Sequence, residues 1–191
     1  MEKTTAQRLA GVLKVLVTVT FVCNLLVLPL VPGLVGIGRE GTRTLLDAAL
    51  TGQESENLVP IFFTVCWQFL YRIWRFPAES VLAAFLLFCG ANTACILWQA
   101  RRVLDTVIEG LPFQRRNARS MMVAAVSCTL IALAALLRLI WGFFYYGSAA
   151  PLFTYNALFV PVFAMAGLLC LVMSALFLQA AALKEDSDLV I

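Results

Sequence analysis

Two carboxylates at helical spacing are the first place in this sequence where chemistry could occur. Asp105 and Glu109 are four residues apart, which places both on one face of a helix. Such a pair could bind a cation or act as acid and base. Arg101 and Arg102 lie three or four residues upstream and are expected to neutralise Asp105 locally. We therefore interpret this group as a solvated charged face.

The six cysteines form no recognisable metal or redox motif. No two make a Cys-x-x-Cys pair, and the chain has no histidine. Metal sites need thiolates, imidazoles or carboxylates at short spacing, so we expect neither a metal nor a cofactor. All six cysteines lie in apolar stretches and are interpreted as small apolar fillers: Cys23, Cys66, Cys89, Cys95, Cys128 and Cys170.

Sequence motifs for catalysis are missing as well. The chain has no G-x-S-x-G, no P-loop, no dinucleotide fingerprint and no intramembrane aspartate pair. Without histidine it lacks the commonest proton-transfer residue near neutral pH. We expect a protein that is not an enzyme.

Arg138 is the one charge well inside an apolar segment, and such charges are functional candidates by default. Counted from Met121 at about 1.5 Å per residue, it lies about 25 Å along its helix, near the outer lipid boundary. We interpret it as an anchor that reaches outward toward Trp141, Tyr145 and Tyr146. Glu79 is a candidate ion-pair partner, and a ligand or ion site is the alternative interpretation.

Uncharged polar side chains within the apolar segments are the remaining candidates. They commonly form hydrogen bonds between helices, so packing is their expected role. If the helices enclose a pocket, these groups would line it, and Asn24 and Asn92 are the most deeply placed. The full set is Asn24, Asn92, Thr93, Ser127, Thr129, Ser174 and Gln179.

The composition predicts the class of fold that positions these residues. Of 191 residues, 62% are hydrophobic and 13% charged, and the mean hydropathy is +0.91. A soluble domain cannot bury that excess, so we predict an all-α polytopic membrane protein with a single domain over residues 1–191. A span needs about 20 apolar residues. Four segments qualify, at about 9–31, 80–98, 121–146 and 155–183. The first is too long for a signal peptide and is expected to be retained.

Lysine and arginine counts predict the orientation. Nine of these residues flank the spans on one side and four on the other. The larger group includes the residues near both chain ends and those in residues 99–120, here called the elbow. We therefore place the elbow in the cytoplasm together with both chain ends, including the tail, residues 184–191. The net charge of +3 follows this pattern and gives no case for direct nucleic-acid binding.

The longest connection, residues 32–79, is then the outer loop. Within it, residues 58–75 carry Thr64, Gln68, Arg72 and Arg75 at spacings of four, four and three. This pattern predicts an amphipathic helix at the outer interface. A short fifth span is the alternative.

The elbow has the features of a turn between two helices. We expect the second helix to continue past the lipid to Ile108, and Gly110 to permit the turn. Pro112 cannot continue a helix but suits the beginning of a new one. Phe113 is expected to anchor back into the bundle.

Beyond the turn, the third helix begins with polar residues. We expect Arg116, Asn117 and Arg119 to face lipid phosphates in its first turns. The acidic tail is expected to pair with three arginines of the elbow, Arg115, Arg116 and Arg119. Such pairing would close the cytoplasmic face.

The elbow "RRVLDTVIEGLPFQRRNARSMM" and the C-terminal "LKEDSDLVI" resemble the bacterial domain-of-unknown-function 2975 family of four-span membrane proteins. The resemblance covers nearly the whole chain and implies a membrane protein that is often encoded beside a small helix-turn-helix regulator. One departure is Val190, where threonine is common. The positions at which this sequence matches the family's elbow and tail pattern are Gly110, Pro112, Phe113, Asn117, Asp188 and Leu189.

Together these observations favour a non-enzymatic sensor or regulatory interaction partner in the bacterial inner membrane. Its expected partners are membrane lipid and either a small helix-turn-helix regulator or another membrane protein. One alternative is a module that binds or transports a small apolar molecule. Another is an immunity-type protein that reads a membrane-active peptide with its outer loop. The sequence leaves the ligand, the partner and the oligomeric state open.

Overall fold

The computed structural model describes residues 5–32, 35, 67, 77–111 and 113–188. Four long helices make up most of this part of the chain: α1 (Thr5–Val27), α2 (Pro77–Ile108), α3 (Arg115–Tyr146) and α4 (Tyr155–Asp188). All four are long and apolar enough to cross a membrane. The predicted all-α polytopic membrane fold is confirmed.

The helices extend beyond the apolar segments that predicted them. As expected, α2 continues to Ile108, although its uncharged part ends near Trp98. Helix α3 begins at Arg115, six residues before the predicted span. Helix α4 begins at Tyr155 and accommodates Pro161 in its first turns. Charged side chains do not break a helix, so hydropathy alone underestimates helix length.

Most of the outer loop, including nearly all of the predicted amphipathic helix at 58–75, lies outside the described residues. Trp67 is the exception, since it is helical and exposed. The interfacial helix therefore stays a prediction, with a short fifth span as its alternative. The proposed peptide-reading role of this loop stays one as well.

The chain divides into two compact units, residues 1–24 with 91–191, and residues 25–90. In the smaller unit, α1 passes into a 3₁₀ turn at Leu28–Leu30, with Pro29 in its first positions. A β-carbon at Gly90 would overlap the side chain of Leu28. Glycine at position 90 therefore lets these two segments approach closely.

In the larger unit, α3 packs along α4. Of the four helices, α3 is the most buried. In its most apolar stretch of 18 residues 39% are buried, against 6% in the corresponding stretch of α4. The contact is close because small residues line it. A β-carbon built at Gly167 would lie 3.1 Å from Thr129 Oγ1 and 3.3 Å from the carbonyl oxygen of Ala125. Small residues allow this backbone approach between membrane helices.

The turn between α3 and α4 begins at Gly147, whose φ of 57° is left-handed and whose N–H bonds the carbonyl of Phe143 at 3.1 Å. A 3₁₀ turn, Ala150–Phe153, leads into α4. Aromatic rings surround this end of α3, and Trp141 stacks on Tyr145 with ring centroids 4.7 Å apart. Tryptophan and tyrosine favour the membrane–water interface, as expected for the end of a span.

Candidate functional site

Helix α2 ends at the elbow in a regular glycine-based cap. Gly110 has a φ of 78°, its N–H bonds the carbonyl of Val107 at 3.1 Å, and the Leu111 N–H bonds that of Thr106 at 2.9 Å. These two bonds form a Schellman motif, which satisfies carbonyls that the helix end leaves free. The predicted turn at Gly110 is confirmed. Pro112 lies outside the described residues.

Asn117 joins the two sides of the elbow. Its Nδ2 donates to the Thr106 hydroxyl at 2.6 Å, and that hydroxyl donates to the carbonyl of Val103 at 2.7 Å. Asn117 is 1% exposed and Thr106 4% exposed. The expectation that Asn117 faces lipid phosphates is therefore wrong. A buried amide needs hydrogen-bonding partners, and α2 supplies one.

The expectation that Arg116 and Arg119 face lipid phosphates stays a prediction. Arg116 and Arg119 are both exposed in the first turns of α3. Phe113, just before α3, has its ring centroid 6.4 Å from that of Phe177 on α4. This contact confirms that Phe113 anchors the elbow to the bundle, although its side chain stays half exposed.

An ion pair connects the elbow to the tail. Arg115 Nε and Nη2 donate to the two carboxylate oxygens of Glu185 at 2.9 and 2.6 Å. The predicted pairing between elbow arginines and the acidic tail is thus present for this pair. Both side chains are more than half exposed, so solvent and salt weaken the attraction. Asp188 ends α4, and Leu189 lies outside the described residues.

Helix α1 also reaches the elbow. Gln7 Nε2 donates to the carbonyl of Ile108 at 3.3 Å, and Lys14 Nζ lies 2.6 Å from Asp105 Oδ1. Asp105 therefore forms its ion pair with Lys14 on α1, and not with Arg101 or Arg102, the two neighbours that were expected to neutralise it. Sequence reasoning missed this pair because Lys14 is distant in sequence and faces Asp105 only when α1 packs on α2.

The guanidinium of Arg101 lies over two aromatic rings instead. Its Cζ is 5.8 Å from the ring centroid of Phe21 and 5.8 Å from that of Trp98. These distances are within the range of cation–π attraction, and the two rings also contact each other. The arrangement fixes α1 against α2 near the point where the charged part of α2 begins.

A second polar contact ties α4 to the start of α3. Ser174 Oγ donates to the carbonyl of Ala118 at 2.7 Å. The beginning of α1, the elbow and the last turns of α4 therefore meet at one end of the larger unit. We call this region the elbow end, comprising residues 5–14, 99–120 and 174–188.

Arg138 lies at the other end of α3. Its Nη1 donates to Asn156 Oδ1 at 2.8 Å, at the beginning of α4. This bond agrees with an anchoring role, and Asn156 is a partner that sequence reasoning missed. The sequence did offer a signal for this partner, because Asn156 is an amide in the first turn of a predicted helix, directly after an uncharged loop. The proposed Arg138–Glu79 pair and a ligand role for either residue stay predictions.

The two asparagines proposed to line a pocket lie on different helices, Asn24 on α1 and Asn92 on α2, and both are partly buried. The Oδ1 atom of Asn24 is buried and accepts no hydrogen bond within the described part of the chain. Among the described residues, no group of three or more histidine, cysteine or acidic residues could hold a metal ion.

Comparisons with known proteins identify a family but no activity. A family model described as "Protein of unknown function (DUF2975)" matches residues 50–191. No curated protein and no solved structure matches the chain. Because the match covers most of the sequence, the chain belongs to the DUF2975 family. The match includes α2, α3, α4 and the elbow, and it begins after α1.

Proposed function

We propose that this member of the DUF2975 family is a non-enzymatic regulatory interaction partner, held in the bacterial cytoplasmic membrane, whose elbow end binds another protein. In this proposal both chain termini and the elbow are cytoplasmic. The partner is a small helix-turn-helix regulator or another membrane protein. Membrane lipid surrounds the four helices.

Helix length supports the proposal most directly. With 32 residues, α2 is about 48 Å long, whereas the hydrocarbon layer is about 30 Å thick. Helices α3 and α4, with 32 and 34 residues, exceed the layer by a similar amount. Apart from Glu79 on α2 and Arg138 on α3, the charged residues of these three helices are at the elbow end. The helix turns that carry them provide a folded surface outside the lipid.

The contacts within the elbow end indicate that this surface is ordered. The Asn117–Thr106 hydrogen bond joins α3 to α2, and the Arg115–Glu185 pair joins the elbow to α4. A binding surface built on helices that are tied together loses little conformational entropy when a partner docks. The exposed Arg116 and Arg119 lie on this surface and would favour an acidic partner.

Reporter fusions test the orientation. Green fluorescent protein fused after Ile191 is expected to fluoresce, and alkaline phosphatase at the same position is expected to be inactive. Alkaline phosphatase inserted after Phe153, between α3 and α4, is expected to be active. The opposite result at both sites would overturn the placement of the elbow in the cytoplasm.

Affinity purification tests the binding role. An amino-terminally tagged protein is extracted from crosslinked membranes, and the captured protein is identified, purified and returned to the complete protein in a direct binding assay. Removal of residues 184–191, or reversal of Arg116 and Arg119 to glutamate, is expected to weaken binding at least tenfold. Ser148→Glu, an exposed change at the opposite end, is the matched control. Equal binding by all these variants would exclude the elbow end as the binding surface.

A second function, binding of a small apolar molecule, is supported by one observation. The buried Oδ1 of Asn24 accepts no hydrogen bond within the described residues, and leaving such an atom unpaired costs about 1–3 kcal/mol. A ligand that donates a hydrogen bond there would recover that energy. If so, a co-purified lipid-like molecule identified by mass spectrometry is lost in Asn24→Leu. Retention of the same molecule by that variant would exclude this atom as its partner.

A further inference from the structure

Helix α4 continues as an apolar helix past the charged beginning of α3. Ser174 Oγ donates to the carbonyl of Ala118 at 2.7 Å, so these two residues lie at the same depth in the membrane. Ala118 is next to Arg119 on α3, and residues 175–183 of α4 carry no charge. This apolar segment therefore lies level with the charged turns of α3 and beyond them.

The far end of this segment is out of reach of the lipid. Leu183 follows Ser174 by nine residues, which is about 13 Å along the helix. The head-group region of one leaflet is about 5–8 Å thick. Leu176 is 52% exposed and Leu183 is 71% exposed. Large apolar side chains that stay open to water are typical of an interaction surface.

These exposed residues have the spacing of a coiled-coil contact. Leu176, Gln179 and Leu183 are three and four residues apart, and Val172 and Met165 precede Gln179 at intervals of seven. All five side chains are exposed. Positions that repeat at three and four residues form the contact line between two parallel helices. We call these five residues the α4 stripe.

The α4 stripe lies on the side of the helix that faces away from α3. Gly167 and Ser174, seven residues apart, are on the face that contacts α3. Leu176 follows Ser174 by two residues and is therefore rotated about 200° around the helix. Helix α4 can thus pack on α3 with one face and on a further helix with the other.

A second copy of this chain matches the whole stripe. Because the stripe begins in the lipid at Met165 and ends beyond it at Leu183, its partner must also be a helix that crosses the membrane and continues past it. Two copies lie at the same depth, so equal positions meet across a two-fold axis. Apolar residues then face apolar residues, and the two Gln179 amides can bond each other and set the register. The first charge in the series is Asp186, beyond Leu183, so the stripe itself carries no repulsion.

We propose that the protein forms a parallel dimer in the membrane, in which the α4 stripes of two copies pack against each other. Beyond the lipid, Leu176 and Leu183 of one copy cover the same residues of the other. The dimer goes beyond the binding role of the elbow end and does not rest on it, because its formation requires no other protein.

Photocrosslinking of the complete protein in native membranes tests the dimer. The photoreactive residue p-benzoylphenylalanine replaces Leu176, Gln179 or Leu183, and mass spectrometry identifies each product. All three positions are expected to give a covalent dimer of the chain. Leu178 is the matched control, because it is as exposed as Leu176, at 52%, but is rotated about 200° from it around the helix. The probe at Leu178 is expected to give little dimer.

A charge placed in the stripe provides the second test. With the probe at Leu176, Leu183→Glu is expected to lower the dimer yield about tenfold, because two carboxylates are then buried against each other. Lys184→Glu, at the next and exposed position outside the stripe, should leave the yield unchanged. Equal yields from the probes at Leu176 and Leu178, or an unchanged yield in Leu183→Glu, would overturn the proposal. Crosslinks from the stripe to lipid or to a different protein, in place of the dimer, would overturn it as well.

Discussion

The Asn117 side chain donates a hydrogen bond of 2.6 Å to the hydroxyl of Thr106, across the elbow and away from solvent. The bond connects the last turn of α2 to the first turn of α3. It thereby holds in place a turn that the Schellman motif at Gly110 starts. Because this bond is buried and the charges around it are exposed, we expect it to contribute more to the stability of the elbow than those charges do.

Replacing Asn117 with alanine is expected to lower the free energy of unfolding by about 1–3 kcal/mol, because the change removes a buried hydrogen bond and leaves a space. The midpoint of thermal unfolding in detergent measures the effect. Arg116→Ala, next to it but exposed, is the control and should change little. In a double-mutant cycle with Thr106→Val, the two losses should not add, because both remove the same bond. Additive losses would show that the bond contributes no energy of its own.

Gly110→Ala is expected to destabilise the protein by about 1–2 kcal/mol, because an L-residue with a side chain is strained at a φ of 78°. Gly11→Ala offers the matched control, since Gly11 lies within α1 and a β-carbon there meets nothing within 4 Å. That second change should stabilise the helix by up to about 1 kcal/mol. Thermal unfolding of both variants measures the difference. If both substitutions changed the unfolding midpoint equally, Gly110 would not need a left-handed backbone conformation.

Gly167→Leu is expected to separate α3 from α4, because even a β-carbon at this position touches Thr129 and Ala125. Overpacking of this kind typically costs about 1–3 kcal/mol. Leu169→Ala serves as the control, because Leu169 is 64% exposed on the same helix. Unfolding midpoints in detergent compare the two variants. A stable Gly167→Leu protein would indicate that α3 and α4 do not pack at this glycine.

Reversing the charge of Glu185 to lysine is expected to expose the tail, because Arg115 then repels it. Limited proteolysis of the tail should become several-fold faster, and the Arg115→Glu, Glu185→Lys double variant should return to the wild-type rate. High salt should speed tail cleavage in the wild type, since both side chains are accessible to ions. Asp186→Lys, at the neighbouring exposed position, is the control. A double variant as sensitive as the single one would rule out a direct pair.

The hydropathy pattern was sufficient for the fold class and the approximate position of all four spans, because a membrane helix must be apolar over a known length. The extension of α2 to Ile108 and the turn at Gly110 also followed from the sequence. Both depend on local preferences of the backbone. The elbow charges suggested a pair with the tail, and Arg115 and Glu185 form one.

The partners of individual side chains could not be obtained in this way. Asn117 was expected at the lipid surface, yet it is buried against Thr106, because helix spacing alone does not show which face another helix covers. Lys14 pairs with Asp105 across 91 positions, and Arg138 bonds Asn156 across a turn. The close approach of Gly167 to Thr129 and Ala125 likewise exists only once α3 and α4 pack together. Local sequence determined the helices and their ends, since these depend on each residue's own solvation and backbone freedom. Tertiary structure decided which polar groups meet, since that depends on the rotation and offset of one helix against another.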